Sequence, residues 1–333
     1  MNPMDAMPFA GLVDLQPTRS QVMAEVLAGL QARPQRLPSR LFYDAEGSAL
    51  FEAITQTPEY YLTRTERGLL ERHLPEIAAR VGPQAHVVEL GSGSGSKTRL
   101  LLQALQAPVA YTPVEISRQA LLDSLQQLGP LFPQVQMLPL CADFTRPFTV
   151  PRPAHQAVRR LAFFPGSTLG NFVARDAVEV LSAIAAVIAD NGLALIGVDL
   201  HQDAARIEAA YNDDQGVTAA FTLNLLRRLN RELGSDFDLD GFAHHARYDQ
   251  AQRRIHTQLV SRRPQQVHLA GQTFVFDSGQ AIDVEFSHKY SRQSLQQLAA
   301  EAGLEIAGWW TSTAPDFALC LLAPVSSRRI EPL

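Results

Sequence analysis

A glycine-rich loop with an acid before it and a lysine after it is the first segment whose residues could do chemistry. The sequence E-L-G-S-G-S-G-S-K-T starts at Glu89 and places Gly91, Gly93 and Gly95 between a strand-like run and a helix-like run. Glycines at such a turn let the backbone approach a ligand, and the helix that follows presents free N–H groups. The dinucleotide and P-loop patterns both require a glycine where Ser96 stands. Phosphate binding is therefore not supported, and a plain turn between strand and helix stays an alternative.

Two acidic residues follow the next two predicted strands. Glu115 ends the second strand, where a carboxylate can accept two hydrogen bonds from a ribose diol. Asp143 and Phe144 follow the third strand, where an acid can bind an adenine amino group and a ring can stack on the base. Either acid alone is more often a solvated loop residue, but two at successive strand ends favour a ligand site. Lys97 either reaches a cofactor carboxylate or is a solvated lysine at the start of a helix.

Alternating strands and helices position these residues. Apolar runs predict strands, with helical segments between them, at residues 86–90, 110–116, 135–140, 160–165 and 192–200. This alternation predicts an α/β fold with a parallel, doubly wound sheet and right-handed crossovers. The alternation stops near residue 200 and resumes near 288, and a helix and two strands close the chain. We therefore predict a sheet interrupted by a second, inserted domain, with the ligand in the cleft between them.

This organisation gives explicit domain boundaries. The sheet domain comprises residues 1–31, 65–199 and 289–333, and the inserted domain comprises residues 32–64 and 200–288. Residues 17–31 have helical spacing, whereas the proline-containing stretch to about Pro58 is expected to be irregular. A pair of strands is expected within the segment RRIHTQLVSRRPQQVHL.

Composition excludes several classes of protein. With 333 residues the chain has room for roughly two domains of about 150 residues. Its 29 basic and 34 acidic residues give a net charge of −5, which argues against a nucleic-acid groove. Two cysteines cannot build a disulfide framework, and the N-terminal MNPMDAMPFAGL has no signal-peptide pattern. The most apolar stretch, residues 181–198, is interrupted by Asp190 and Asn191, so no membrane span is expected. We expect a soluble, cytoplasmic monomer.

No metal site is expected either. Residues 236–241 imitate the start of a calcium-binding loop, but the position that would need glutamate is Arg247. His244 and His245 are adjacent, so they point in different directions, and the H-E-x-x-H motif is absent nearby.

The order E-x-G-x-G-x-G, then an acid, then Asp-Phe resembles the class I S-adenosylmethionine (SAM) methyltransferases. The terminal helix and strand pair, residues 291–323, resemble the reversed last strands of that Rossmann-like fold. Longer segments resemble the histidine-specific methyltransferases of ergothioneine biosynthesis, the L-histidine Nα-methyltransferases, over about residues 20–323. These segments are LPSRLFYDAEGSALFEAIT, TPEYYLTRTE, VELGSGSGSKTR, GSTLGNF, AAYNDDQGVTAAFTLNLL and VEFSHKYS.

The resemblance implies trimethylation of the α-amine of L-histidine to hercynine, the histidine betaine, with SAM as methyl donor. It implies that Asn171 and Tyr211 hold the substrate carboxylate. It also implies a catalytic and pocket role for Tyr43 near the amine, and a pocket role for Tyr60. Glu285 and Ser287 are implied as the anchors of the imidazole. The implied cofactor residues are Gly91, Lys97, Glu115, Asp143 and Phe144.

Two residues depart from the family pattern. The acid expected on the ribose is Glu115 where the family often has aspartate; the longer side chain should preserve a bidentate contact. Thr257 stands where a larger apolar pocket residue is expected, so an alternative substrate is another amino acid or small amine. Two further alternatives are a catalytically silent fold that binds a nucleoside or a partner protein, and a nicotinamide oxidoreductase, the latter disfavoured by Ser96.

Overall fold

The computed structural model of the chain describes residues 11–200, 203–314 and 316–325. Residues 1–10 lie outside these ranges. They make up most of the N-terminal segment that is predicted not to be a signal peptide. The helices of the described ranges are α1 (Arg19–Gln31), α2 (Ala45–Gln56), α3 (Tyr61–Val81), α4 (Ser96–Ala104), α5 (Arg118–Leu128), α6 (Ala174–Ile188), α7 (Ala204–Ala209), α8 (Val217–Leu233) and α9 (Arg292–Glu301). The strands are β1 (Val13–Asp14), β2 (Gln35–Arg36), β3 (Ala85–Leu90), β4 (Ala110–Glu115), β5 (Gln136–Met137), β6 (Leu140–Cys141), β7 (Arg159–Phe164), β8 (Leu193–Asp199), β9 (Phe242–Asp249), β10 (Arg254–Ser261), β11 (Gln265–Leu269), β12 (Gln272–Phe276), β13 (Ala281–His288), β14 (Leu304–Thr311) and β15 (Phe317–Pro324).

The larger sheet has nine strands in the described part of the chain. Their order is β1-β6-β4-β3-β7-β8-β15-β14, with β5 beside β4. Neighbours from β1 to β8 run parallel, whereas β15 is antiparallel to both β8 and β14. In the register of the central pair, His86 of β3 is opposite Ala110 of β4. The predicted α/β doubly wound sheet with reversed final strands is therefore confirmed.

Consecutive residues of the parallel strands pack on opposite faces of this sheet. Val87 lies in an apolar core with residues of α3, α4 and α5, and Val88 lies in a second core with residues of α6 and α9. All of β3 is buried, as expected for a strand covered on both faces. Because the parallel strands end at one edge, the residues that follow them are brought together there.

A smaller sheet is formed mainly from the segment between β8 and α9. Its strand order is β2-β13-β10-β9, and β11 and β12 form a separate hairpin. Helix α8 packs against β9 and α2, and also against the turn Ser39–Phe42, where the Phe42 and Phe221 ring centroids are 4.7 Å apart. The chain leaves the larger sheet at Asp199 and returns at Tyr290, whose N–H donates to the Asp199 carbonyl oxygen at 2.9 Å. The two ends of the intervening segment are therefore adjacent.

Two helices were missed by the sequence prediction. Helix α2 lies in the stretch expected to be irregular; it is capped by Asp44, whose Oδ1 accepts the Gly47 N–H at 2.7 Å. The same oxygen accepts from the Asn224 side chain of α8 at 2.9 Å, so a tertiary contact supports this short helix. Helix α8 buries Phe221, Leu225 and other residues at helical spacing. This spacing is present in the sequence, but the prediction did not include a helix there.

Two strand predictions were also inaccurate. The third predicted strand is split into β5 and β6, because Pro139 between them has no N–H to donate to a neighbouring strand. The two strands expected in the segment RRIHTQLVSRRPQQVHL are present as β10 and β11, but they do not pair with each other, since β10 pairs with β9 and β13 while β11 pairs with β12. Alternate residues of β10 are buried and half-buried, and such a central strand needs partners on both edges.

Candidate functional site

A cavity of about 800 Å³ lies at the carboxyl ends of β3, β4, β6 and β7. A smaller cavity of about 60 Å³ adjoins it on the side of the smaller sheet. Residues lining both are Tyr43, Phe51, Tyr60, Gly166, Thr168 and Asn171. The arrangement offers one compartment for a large ligand and a second, tighter one beside it.

Every site residue predicted from the sequence lines one or both cavities. Those lining only the larger cavity are Gly91, Lys97, Glu115, Asp143 and Phe144. Those lining only the smaller cavity are Tyr211, Glu285 and Ser287, and those lining both are Tyr43, Tyr60 and Asn171. The structure therefore brings the whole predicted set together, and the role of each residue stays a prediction.

The glycine loop presents its backbone to the larger cavity. Gly91 has a φ of +73°, a conformation that favours glycine, and its N–H donates to the Val114 carbonyl oxygen at 2.8 Å. The next turn, at Gly93, has open space where a side chain would lie. Helix α4 then begins at Ser96, so its free N–H groups lie at the cavity edge. The loop is shaped for a ligand that lies against the main chain.

Glu115 stands at the end of β4 beside this loop. Its Oε2 accepts the Gly93 N–H at 3.1 Å and its Oε1 accepts the Ser117 N–H at 2.9 Å. Burial raises the pKa of the Glu115 carboxyl, against the opposing effect of these backbone donors. Both oxygens keep capacity for another donor, as a ribose diol would require.

The Asp143 carboxylate already has several donors. Its Oδ1 accepts from the Thr145 N–H at 3.0 Å and from the Thr145 hydroxyl at 2.5 Å. Its Oδ2 accepts from Arg40 Nε at 3.1 Å, and Arg146 Nε lies 3.5 Å from the same oxygen. The neighbouring Phe144 ring lines the same cavity. An amino group of a ligand that binds Asp143 would therefore share a carboxylate oxygen with Thr145 or Arg40, which already donate to it.

Lys97 is paired rather than solvated. Its ammonium forms an ion pair with Glu66 of α3, a side chain with 0% exposure. Glu66 also accepts the Gly166 N–H, at 2.9 Å from each carboxylate oxygen. Glu66 thus fixes Lys97 and the turn after β7 at the cavity edge. Sequence reasoning missed Glu66, because no local pattern connects it with a lysine on another helix.

Aromatic side chains form the passage between the two cavities. The Tyr43 ring makes edge contacts with Phe51 at 5.8 Å and Phe221 at 5.7 Å, and the Tyr60 ring lies 6.2 Å from that of Tyr211. Burial raises the pKa of Tyr43, Tyr60 and Tyr211 well above the usual value for tyrosine. These side chains are therefore neutral phenols that can donate hydrogen bonds and cannot readily act as bases.

Glu285 of β13 is the acidic group of the smaller cavity. Burial raises the pKa of its carboxyl to about 7, against the attraction of the Lys289 ammonium. Among the described residues, none donates a hydrogen bond to this carboxylate. Thr257 is opposite Glu285 in the strand register and is buried. It is not among the described residues that line either cavity. The Glu285 carboxylate is therefore available to an N–H of a ligand.

Two charged residues behind the smaller cavity were not predicted. Lys289 and Asp199 form an ion pair at 2.7 Å with both side chains at 0% exposure. Tyr61 also donates to Asp199 at 2.8 Å. Lys289 lies inside the VEFSHKYS segment and could have been noticed there, whereas its partner is far away in the sequence.

Two acidic residues of segment 236–241 contact basic side chains at the surface. Asp236 binds His268 at 2.8 Å, and Asp238 pairs with Arg263. Over the described ranges, no group of three or more His, Cys, Asp or Glu is placed to hold a metal ion. None of the helices in the described part of the chain combines the length and the apolar composition of a membrane-spanning segment.

Known proteins resemble this chain along most of its length. The family model described as "Histidine-specific methyltransferase, SAM-dependent" matches residues 22–324. Histidine N-alpha-methyltransferase of Mycolicibacterium smegmatis is 39% identical over 303 residues, which cover 89% of this chain and 93% of that protein. The Mycobacterium tuberculosis protein of the same name is 39% identical over 305 residues, which cover 90% and 94%. Ergothioneine biosynthesis protein 1 of Neurospora crassa is 34% identical over 298 residues, covering 87% of this chain and 33% of that protein.

Proposed function

The chain belongs to the family of histidine-specific, SAM-dependent methyltransferases, and we propose that it trimethylates the α-amino nitrogen of L-histidine to give hercynine. It is a SAM-dependent N-methyltransferase that acts on histidine in the synthesis of ergothioneine. We propose the number of methyl groups transferred, the residues that form the site and the role of each residue. The single observation that supports it best is the half-buried carboxylate of Glu285, which accepts no hydrogen bond from the described residues and lines a small cavity that adjoins a large one.

The larger cavity fits SAM. The backbone loop at Gly91, the Glu115 carboxylate and the Phe144 ring suit the adenosine part, with Asp143 near the base. Lys97 is oriented by Glu66 so that its ammonium can bind the carboxylate of the methionine part. When bound, SAM supplies a methyl group activated by its sulfonium. The protein has mainly to position the amine.

The residues that line the smaller cavity suit the polar groups of histidine. The Asn171 amide and the Tyr211 hydroxyl are neutral donors that suit a carboxylate. On the opposite side, Glu285 and Ser287 suit the imidazole. The ordinary pKa of imidazole is about 6.5, close to the value of about 7 for Glu285. The two groups can therefore share one proton near neutral pH, and a substrate without a ring N–H leaves Glu285 unpaired.

The amine must be neutral to attack the methyl group. Tyr43 lines both cavities and is a neutral phenol, so it orients the amine by a hydrogen bond rather than removing its proton. We propose that the proton leaves to water. As methyl groups accumulate, the nitrogen becomes a fixed cation, which the faces of Tyr43 and Tyr60 can stabilise.

The organisation of the chain supports further proposals. We propose that residues 1–31, 65–199 and 289–333 form the SAM-binding domain and that residues 32–64 and 200–288 form the substrate domain. The adjacent departure and return of the chain at Asp199 and Tyr290 support an insertion there. We also propose that the protein acts as a cytoplasmic monomer, because one chain supplies every residue of the proposed site.

Methyl transfer to each of the twenty amino acids tests the substrate. We expect kcat/KM for L-histidine to exceed that for phenylalanine and leucine by about 100-fold or more, since a site built to pair with an N–H rejects side chains that lack one. The rate of S-adenosylhomocysteine release measures this. An equal or higher value for another amino acid would contradict histidine as the substrate and favour another small amine.

A further inference from the structure

Lys289 is a buried cation directly beneath the smaller cavity. It follows β13, its side chain has 0% exposure, and its Nζ lies 2.7 Å from Asp199 Oδ2. The same nitrogen lies 2.8 Å from Ser287 Oγ and 3.2 Å from the Tyr211 hydroxyl. A lysine ammonium has three N–H donors and no acceptor. All three donors therefore have a partner, and two of the partners are residues proposed to bind the substrate.

The hydrogen bonds of this cluster leave one hydroxyl proton free. Because Lys289 can only donate, the oxygens of Ser287 and Tyr211 both accept from it. These oxygens are also 2.7 Å apart, so one hydroxyl donates to the other. Of the two hydroxyl protons, one is used inside the cluster, and the other has no acceptor there and is available to a ligand.

A bound substrate carboxylate sets the direction of the hydrogen bonds in this cluster. A carboxylate beside Tyr211 can only accept, so the phenol proton turns to it and Ser287 donates to Tyr211. The Tyr211 oxygen then accepts from Lys289 and Ser287, which fills its two acceptor sites. Ser287 accepts from Lys289 and keeps one acceptor site, which suits the N–H of an imidazole.

We propose that Lys289 is a positioning residue that makes Tyr211 a donor to the substrate carboxylate and Ser287 an acceptor for the imidazole N–H. This inference rests on the proposed function. It connects the two ends of histidine through one chain of hydrogen bonds. The carboxylate is then recognised with the support of a buried positive charge, although the residues that touch it are neutral.

Replacing Lys289 with methionine separates this role from a purely structural one. The single variant removes the ammonium that pairs with Asp199 and is expected to be less stable, so the double variant Asp199→Asn/Lys289→Met is measured beside it. We expect KM for histidine to rise about tenfold or more in both, with kcat changed less, because a charged hydrogen bond to the cluster is lost. Binding of S-adenosylhomocysteine should be unchanged. A wild-type KM in the double variant would overturn the proposal.

A milder variant, Ser287→Ala, tests the same chain of hydrogen bonds and leaves the Lys289–Asp199 ion pair in place. Binding of L-histidine and of L-histidinamide, which lacks the carboxylate, is measured calorimetrically on wild type and Ser287→Ala with S-adenosylhomocysteine present. We expect removal of the carboxylate to weaken binding less in Ser287→Ala than in wild type, by a factor of about three or more, since linked groups are not additive. Strictly additive losses would overturn the proposal. Failure of wild type to bind histidine would instead contradict the proposed function.

Discussion

Glu285→Gln is expected to make the protein more stable at pH 8 and to remove most of its preference for histidine. Glutamine has nearly the shape of glutamate, but it cannot form a charged hydrogen bond to an imidazole N–H. Loss of such a bond corresponds to about 1.5–3 kcal/mol, or a fall in kcat/KM of about 10- to 100-fold. Steady-state kinetics with histidine and phenylalanine as substrates measure the change in preference.

The gain in stability follows from the raised pKa of Glu285. The carboxyl pKa is about 7 in the folded protein and 4.5 for an ordinary glutamate. Between these values the folded state holds a proton that the unfolded state has lost, so stability falls as the pH rises from 4.5 to 7 and then stays constant. Glutamine removes this penalty. The variant should therefore be about 1–2 kcal/mol more stable than wild type at pH 8, with little difference near pH 4.5.

Thermal unfolding at pH 5 and pH 8 measures this gain, with Glu305→Gln as the control. Glu305 is an exposed residue of β14, so its replacement should leave the unfolding temperature unchanged at both values of pH. We expect Glu285→Gln to unfold about 2 °C or more above wild type at pH 8. An unchanged or lower unfolding temperature at pH 8 would show that the ionised carboxylate carries no penalty in the folded state.

Asn171→Asp is expected to have a second large effect, on recognition of the substrate carboxylate. The Asn171 amide lines both cavities and has no hydrogen bond to another side chain or backbone group of the described residues. Aspartate has the same shape but places a negative charge beside the carboxylate. Juxtaposed like charges cost several kcal/mol, so kcat/KM for histidine should fall about 100-fold or more, mainly through KM.

Asn171→Ala is the matched control, because it removes the amide without adding charge and should lower kcat/KM by about tenfold. L-Histidinamide, a substrate without the negative charge, should be affected less by Asn171→Asp than L-histidine is. Equal losses for the two substrates would place the carboxylate elsewhere in the cavity.

The larger sheet could be predicted from the sequence because its signals are local. The apolar run that forms β3 and the glycine turn at Gly91 are contiguous, and parallel strands place their following residues at one edge. The sequence alone therefore predicts Glu115 and Asp143 near the same ligand. Helix α2 was missed because its support comes from Asn224 on α8, a contact that no local period contains.

The electrostatics of the site could not be predicted in the same way. The Lys97–Glu66 and Lys289–Asp199 pairs each join residues that are distant in the sequence, and residue types alone do not show which charges meet. The family resemblance implied only the neutral donors Asn171 and Tyr211 at the substrate carboxylate. The structure places the Lys289 ammonium 3.2 Å from the Tyr211 hydroxyl, behind those donors.

Mass spectrometry of L-histidine incubated with the protein and SAM carrying a deuterated methyl group tests the central proposal most directly. We predict a product with three labelled methyl groups, all located by fragmentation on the α-nitrogen, and an unmodified imidazole ring. A product labelled on the ring, or labelled with fewer than three methyl groups at completion, would contradict trimethylation of the α-amine.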